Sequence, residues 1–129
     1  MIEQTPLIVT EWYYHKPSSK ELNGKIISLT TLDVMKKRTS TKKGIACRFT
    51  SSFVAGKESI LVYIAEDSYV IDLADVIDKN ELVTMVRNSF SKFKETFELR
   101  KLGTALQDST INPLDENKVN FDAILPLLQ

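Results

Sequence analysis

Side chains able to do covalent or acid–base chemistry are scarce: one histidine, His15, and one cysteine, Cys47, in 129 residues. A Cys/His nucleophile pair would have to consist of these two, because a thiol needs a base within hydrogen-bond reach. Cys47 sits between Ile45 and Phe49 in an alternating run. There a thiol behaves as a small buried hydrophobe and not as a nucleophile. His15 ends an aromatic segment and reads as a surface or interface residue. No cluster has the ligand spacing of a zinc or transition-metal site. Glu66, Asp67, Asp72, Asp75 and Asp78 carry oxygens suited to a hard cation. They lack the order and the glycine of an EF-hand, so turn and cap roles are expected. Gly44, Gly56 and Gly103 stand alone, with no loop to cradle a phosphate. The expectation is a non-enzyme with no catalytic residue, metal or cofactor.

Two other groups of residues suit binding. Five Lys/Arg lie in the eight residues Lys36 to Lys43, where they would neutralise phosphates while Trp12, Tyr13 or Tyr14 stacked bases. No recognition helix or RNP-type strand accompanies them, so a solvated hairpin end is favoured over a small nucleic-acid-binding module. The charges are segregated, with 10 Lys+Arg against 4 Asp+Glu up to Lys57, and 7 against 13 beyond it. A sheet and a helical layer of different surface composition account for that. Trp12-Tyr13-Tyr14 is more telling, since side chains alternate along a strand and one of the three must face away from the core. A subunit or an apolar ligand competes there with ordinary edge packing. The tail Phe121, Ile124, Leu125, Leu127, Leu128 is likewise too apolar for a fraying terminus and must pack on something.

The elements that position these residues are legible in outline. Pro6–His15, Gly24–Met35, Gly44–Phe53 and a run from Ile60 through Ile71 read as four strands, rich in β-branched and aromatic residues. Asn23-Gly24 is a turn signal, and Lys36–Lys43 a polar connection. In the third strand Ile45, Cys47, Phe49 and Phe53 share one face, with Arg48, Thr50 and Ser52 on the other. Asp78-Lys79-Asn80-Glu81 has the spacing of a capping box. After it Leu82, Val86, Phe90, Phe93 and Phe97 fall on one helical face. A helix continuing to Lys101 would hold about 22 residues and span ~33 Å, more than a small sheet needs for cover. Gly103 and Asn112-Pro113 end it, and Asn120 caps a short last helix that Pro126 disturbs. Together these predict one α+β domain over residues 1–129. Its four-stranded antiparallel sheet is followed by a long and a short helix. Met1–Pro6 has no signal-peptide character, no apolar run is long enough for a bilayer, and a lone cysteine asks for no oxidising compartment. The expected location is the cytoplasm.

This order of elements resembles the SecB-type export chaperones. The likeness is carried by Ile60–Ile71, by the helix from Glu81, and by Val119-Asn120-Phe121-Asp122-Ala123-Ile124, which is similar to that family's Val-Asn-Phe-Asp-Ala-Leu ahead of its lid helix. The resemblance implies an ATP-independent cytosolic holdase, a homotetramer built as a dimer of dimers, and unfolded polypeptide clients in apolar grooves between sheet and lid. It assigns client binding to Trp12, Tyr14, Phe121, Ile124 and Leu128. It assigns subunit contact to the Leu82, Val86, Phe90, Phe93, Phe97 stripe. In the secretion branch the strand matching Ile60–Ala65 carries an acidic residue that docks a translocation motor, and Tyr63 stands there instead. The resemblance therefore points to the branch serving toxin–antitoxin–chaperone systems, whose client is an aggregation-prone antitoxin.

Overall fold

The computed structural model describes residues 2–18 and 25–129; the Asn23-Gly24 turn signal lies outside them. The fold is α+β, with a five-stranded antiparallel sheet where four strands are expected from the sequence. The extra strand comes from division of the first. β1 (Glu3–Gln4) and β2 (Ile8–Tyr14) both pair with the same edge of the last strand, interrupted around Pro6, whose ring nitrogen has no hydrogen to donate. β3 (Ile26–Arg38), β4 (Lys42–Ala55) and β5 (Glu58–Asp72) follow as a meander, giving the order β1/β2, β5, β4, β3.

These strands are longer than the sequence reading supposes. The basic stretch is not a loop. Arg38 pairs with Lys43 and Lys37 with Gly44, so the strands reach almost to the turn. At the other end of β4 a two-residue connection, Gly56-Lys57, closes the hairpin, and Gly56 adopts φ +59°, a conformation natural to glycine. Gly44 is needed for a different reason: a Cβ there would run into the Tyr69 carbonyl of the neighbouring strand.

Helix α1 (Lys79–Arg100) starts as its sequence dictates. The Asp78 carboxylate accepts the Glu81 N–H at 2.8 Å, and the Glu81 carboxylate accepts the Asp78 N–H at 3.3 Å. Helix α2 (Phe121–Ile124) is capped by Asn120, which accepts the Ala123 N–H at 3.2 Å, and a 3-10 turn containing Pro126 continues it through Leu128. Leu82, Val86, Phe93 and Phe97 are fully buried and Phe90 nearly so, all against the sheet of the same chain. Phe93 stacks on Tyr63 with ring centroids 4.1 Å apart, and Phe97 stacks on Phe53 at 5.1 Å. The assignment of this stripe to subunit contact is therefore corrected. Its physical basis was a helix too long for its sheet, yet strands of 13 to 15 residues run ~43–50 Å at about 3.3 Å per residue. The helix is the shorter element. Its outward face is polar, with Asn80, Thr84, Arg87, Asn88, Ser91 and Glu95 all exposed.

Candidate functional site

Strand register separates the two candidate nucleophilic partners. The His15 N–H donates to the Ile60 carbonyl at one end of β5, while Cys47 lies opposite Asp67. Seven residues of strand, ~23 Å, lie between those points. Cys47 is completely buried, and burial, reinforced by the nearby Asp67 carboxylate, pushes its thiol up to about 12. The acidic residues also disperse. Asp78 caps α1, Asp72 pairs with Lys42 at 2.5 Å, and Asp67 is buried beneath α1. Asp67 Oδ2 accepts from Gln4 Nε2 at 2.6 Å and from Ser89 Oγ at 2.9 Å, with Lys92 Nζ at 3.6 Å. Tyr69 belongs to the same cluster, its hydroxyl donating to the Met85 carbonyl at 2.8 Å. These bonds tie β1, β5 and α1 together.

The basic stretch loses part of its apparent charge. Lys42 is held by Asp72 and lies 3.9 Å from Glu3, and Lys43 is buried. Lys36, Lys37 and Arg38 remain exposed.

The residues expected to bind a client do not meet in one groove. Trp12 and Tyr14 lie on β2, at the sheet edge opposite β3. Trp12 packs edge-on to Tyr63 at 5.2 Å with the Arg100 guanidinium 5.7 Å over its ring, and the Tyr14 hydroxyl accepts the Ala105 N–H at 2.8 Å. Both side chains anchor the end of α1 and the turn beyond it. Phe121, Ile124 and Leu128 are buried in the core, where α2 meets α1 and the last turn meets β4. Tyr13 is the aromatic that faces solvent, 76% exposed.

A groove does exist, on the other side of the sheet. Among the described residues β3 pairs only with β4, so its second edge leaves main-chain donors and acceptors without a strand partner. Beside that edge runs a cavity of about 480 Å³, bordered by the six consecutive residues Leu29 to Val34 and by the segment from Leu114 to Ile124. Its apolar lining comes from Leu32, Val34, Leu114, Val119, Ala123 and Ile124. Of the five residues expected to bind clients, Ile124 alone lines it. Of the groove's two walls the strand is legible in the sequence, with Leu32 and Val34 alternating onto one face of β3, whereas Leu114 and Val119 are isolated apolar residues in the polar segment after Pro113 and carry no period.

The fold has a solved counterpart. The chain is similar to the crystal structure of a protein of unknown function from Streptococcus agalactiae, with a TM-score of 0.54 and 12% sequence identity over 89% of this chain and 97% of that one. Likeness at that identity is a likeness of fold. No protein-family model matches the chain, and no curated protein matches it either. Among the described residues no helix is long and apolar enough to cross a membrane.

Proposed function

We propose that this protein is an ATP-independent holdase of the SecB type, acting in the cytoplasm as a homotetramer on unfolded or aggregation-prone polypeptides. The observation that carries this reading is the groove between the open edge of β3 and the Leu114–Ile124 segment. An extended chain laid there would bond its backbone to the strand edge and press alternate side chains onto Leu32, Val34 and Ile124. That mode of binding is sequence-tolerant, because the main chain supplies affinity and shallow pockets supply only preference. The Val119–Ile124 motif that carries the family resemblance forms one wall of the groove, which also favours the reading.

The client is proposed to be an antitoxin. Tyr63 supports this choice over general export. It occupies the position of the motor-docking acid, and its ring is buried against Phe93 with its hydroxyl donating to the Phe93 carbonyl at 2.9 Å. A residue held in that way presents nothing to a motor.

The test is suppression of light scattering by an unfolding client. Ala123 is exposed at the groove wall, so Ala123→Arg blocks the groove with little cost to the fold. The wild type should suppress aggregation and Ala123→Arg should fail to do so. Equal activity of the two would place clients elsewhere, and an inactive wild type would end the holdase reading.

A further inference from the structure

The sheet has two faces, and α1, α2 and the last turn all lie on one of them. Pairing identifies the residues of the other. Tyr13 stands opposite Val62, Val62 opposite Ser52 and Ser52 opposite Leu29, making one row across all four long strands. Ile27 pairs with Val54 on one side of that row, and Ile64 lies two residues along β5 on the other. Beyond them the face turns polar, where Glu66, Arg48 and Asp33 form a row with Arg48 and Glu66 in contact at 3.3 Å. No described element packs on this face, and none of its apolar side chains touches the core cluster. Leu29, Ile27 and Tyr13 are 66%, 63% and 76% exposed.

We propose that a second copy of this chain covers the bare sheet face, sheet stacked on sheet. Three observations commit the face to a copy of itself. The first is area. Strands of 13, 14 and 15 residues with the 7 of β2, at about 3.3 Å per residue and about 4.8 Å apart, mark out about 800 Å² in plan, one side of a standard stable interface. A single apolar residue on a surface is ordinary. Tyr13, Val62 and Leu29, with Ile27, Val54 and Ile64 beside them, form an apolar patch over one half of the face, bordered by polar side chains as an interface core is by its rim. The second is the contrast with the helical face. The outward face of α1 is polar along most of its length, with Leu99 near its end the one large apolar side chain exposed. The third is charge. The chain carries 17 cationic and 17 anionic side chains, and the face sets Glu11, Glu66 and Asp33 against Arg48 and Lys37, so it is within one charge of neutral and two copies meet with little net repulsion. Facing sheets pack about 10 Å apart with strands crossing at about 30°, a spacing that interdigitated Leu, Ile and Tyr side chains fill.

This inference stands apart from the holdase reading, because a protein without any client would still present the face. Sedimentation equilibrium of the full chain tests it. Wild type should form an even-numbered assembly at micromolar concentration. Leu29→Glu on β3 and Tyr13→Glu on β2 should each halve its mass while leaving the circular-dichroism spectrum and urea midpoint unchanged. Ser91→Arg, on the polar face of α1, should leave the assembly intact. Should Leu29→Glu misfold, Ile27→Glu on the same strand supplies the same reading. A monomeric wild type overturns the proposal, as does an assembly that survives both sheet-face variants or dissolves with Ser91→Arg. A monomer whose client binding is abolished by Tyr13→Glu, which lies away from the groove, would give the face to the client and overturn it as well.

Discussion

At the scale of the residue, the chemistry is that of a core. Cys47 is the test case. In an unfolded chain its thiol ionises near 9.0, whereas burial holds it neutral up to about 12. Tyr69 behaves the same way, its phenol raised by burial from 10.0 to about 12. Between those values the unfolded chain has released protons that the native chain keeps, so stability falls as pH rises. Urea midpoints should decline steadily above pH 9, and Cys47→Ala should flatten the first part of that decline. At pH 7 a thiol reagent should leave native Cys47 unlabelled and react fully once the chain is unfolded. Rapid labelling of the native protein would contradict its burial. Phe93→Ala provides the complementary measurement. Loss of a ring stacked on Tyr63 should cost about 3–5 kcal/mol in denaturant unfolding. Dissociation of an assembly at unchanged monomer stability would return the stripe to a subunit interface.

At the scale of the element, local signals were readable and reach was not. The capping box is an example of the first, since Asp78 and Glu81 satisfy each other's backbone donors as their spacing requires. Asp78→Ala should lower stability by about 1 kcal/mol, read from the shift in urea midpoint. The alternation of Ile45, Cys47, Phe49 and Phe53, the stop after Arg100 and the Asn120 cap were equally legible, because each depends on neighbours within a few residues. The length of β3 and β4 was hidden by composition. Lys36, Lys37 and Arg38 look like a loop, yet they pair with Ile45, Gly44 and Lys43 because the turn itself needs only Thr39 to Thr41. A sheet taken as short leaves the helix too long for it and turns its apolar stripe outward. The groove is illegible in the sequence for a related reason. It is made by a strand edge and a segment some 80 residues later, and no local period records that meeting. Trp12 and Tyr14 were read as ligand-facing because three aromatics in a row exceed what one face can bury. The surplus belongs to Tyr13 alone. A bulge between Val9 and Glu11 sets which face each side chain takes.

At the scale of the whole molecule, the chain presents three different surfaces: a polar helical back, a bare sheet face that is apolar over one half, and an edge groove. A pair of chains stacked through the sheet face would keep the groove at its periphery, open to a client, and the proposed homotetramer would join two such pairs through a second contact. Light scattering after gel filtration should give about four times the 14.7 kDa chain mass. A single-chain mass throughout the micromolar range would remove the tetramer and weaken the family assignment with it. Co-expression with neighbouring gene products should yield a stable complex with an aggregation-prone antitoxin, and Ala123→Arg should abolish that complex while preserving the assembly. Retention of the complex by Ala123→Arg would detach the client from the groove.

The division of the first strand has a kinetic consequence. β1 is held by two ladder positions, Glu3 with Val70 and Gln4 with Tyr69, whereas β4 is enclosed by long partners on both sides. Amide hydrogens at the two sites should therefore exchange with solvent on separate timescales, those of β1 through fraying and those of β4 only through global opening. Gln4 rides on the fraying piece, and its amide is what screens Asp67 Oδ2 at 2.6 Å. Each excursion of β1 thus admits water to a carboxylate otherwise enclosed under the helix. Deuterium uptake at Ser68, whose N–H donates to Thr5 Oγ1 just beyond β1, should keep pace with that of Glu3 and Gln4, ahead of the rest of β5.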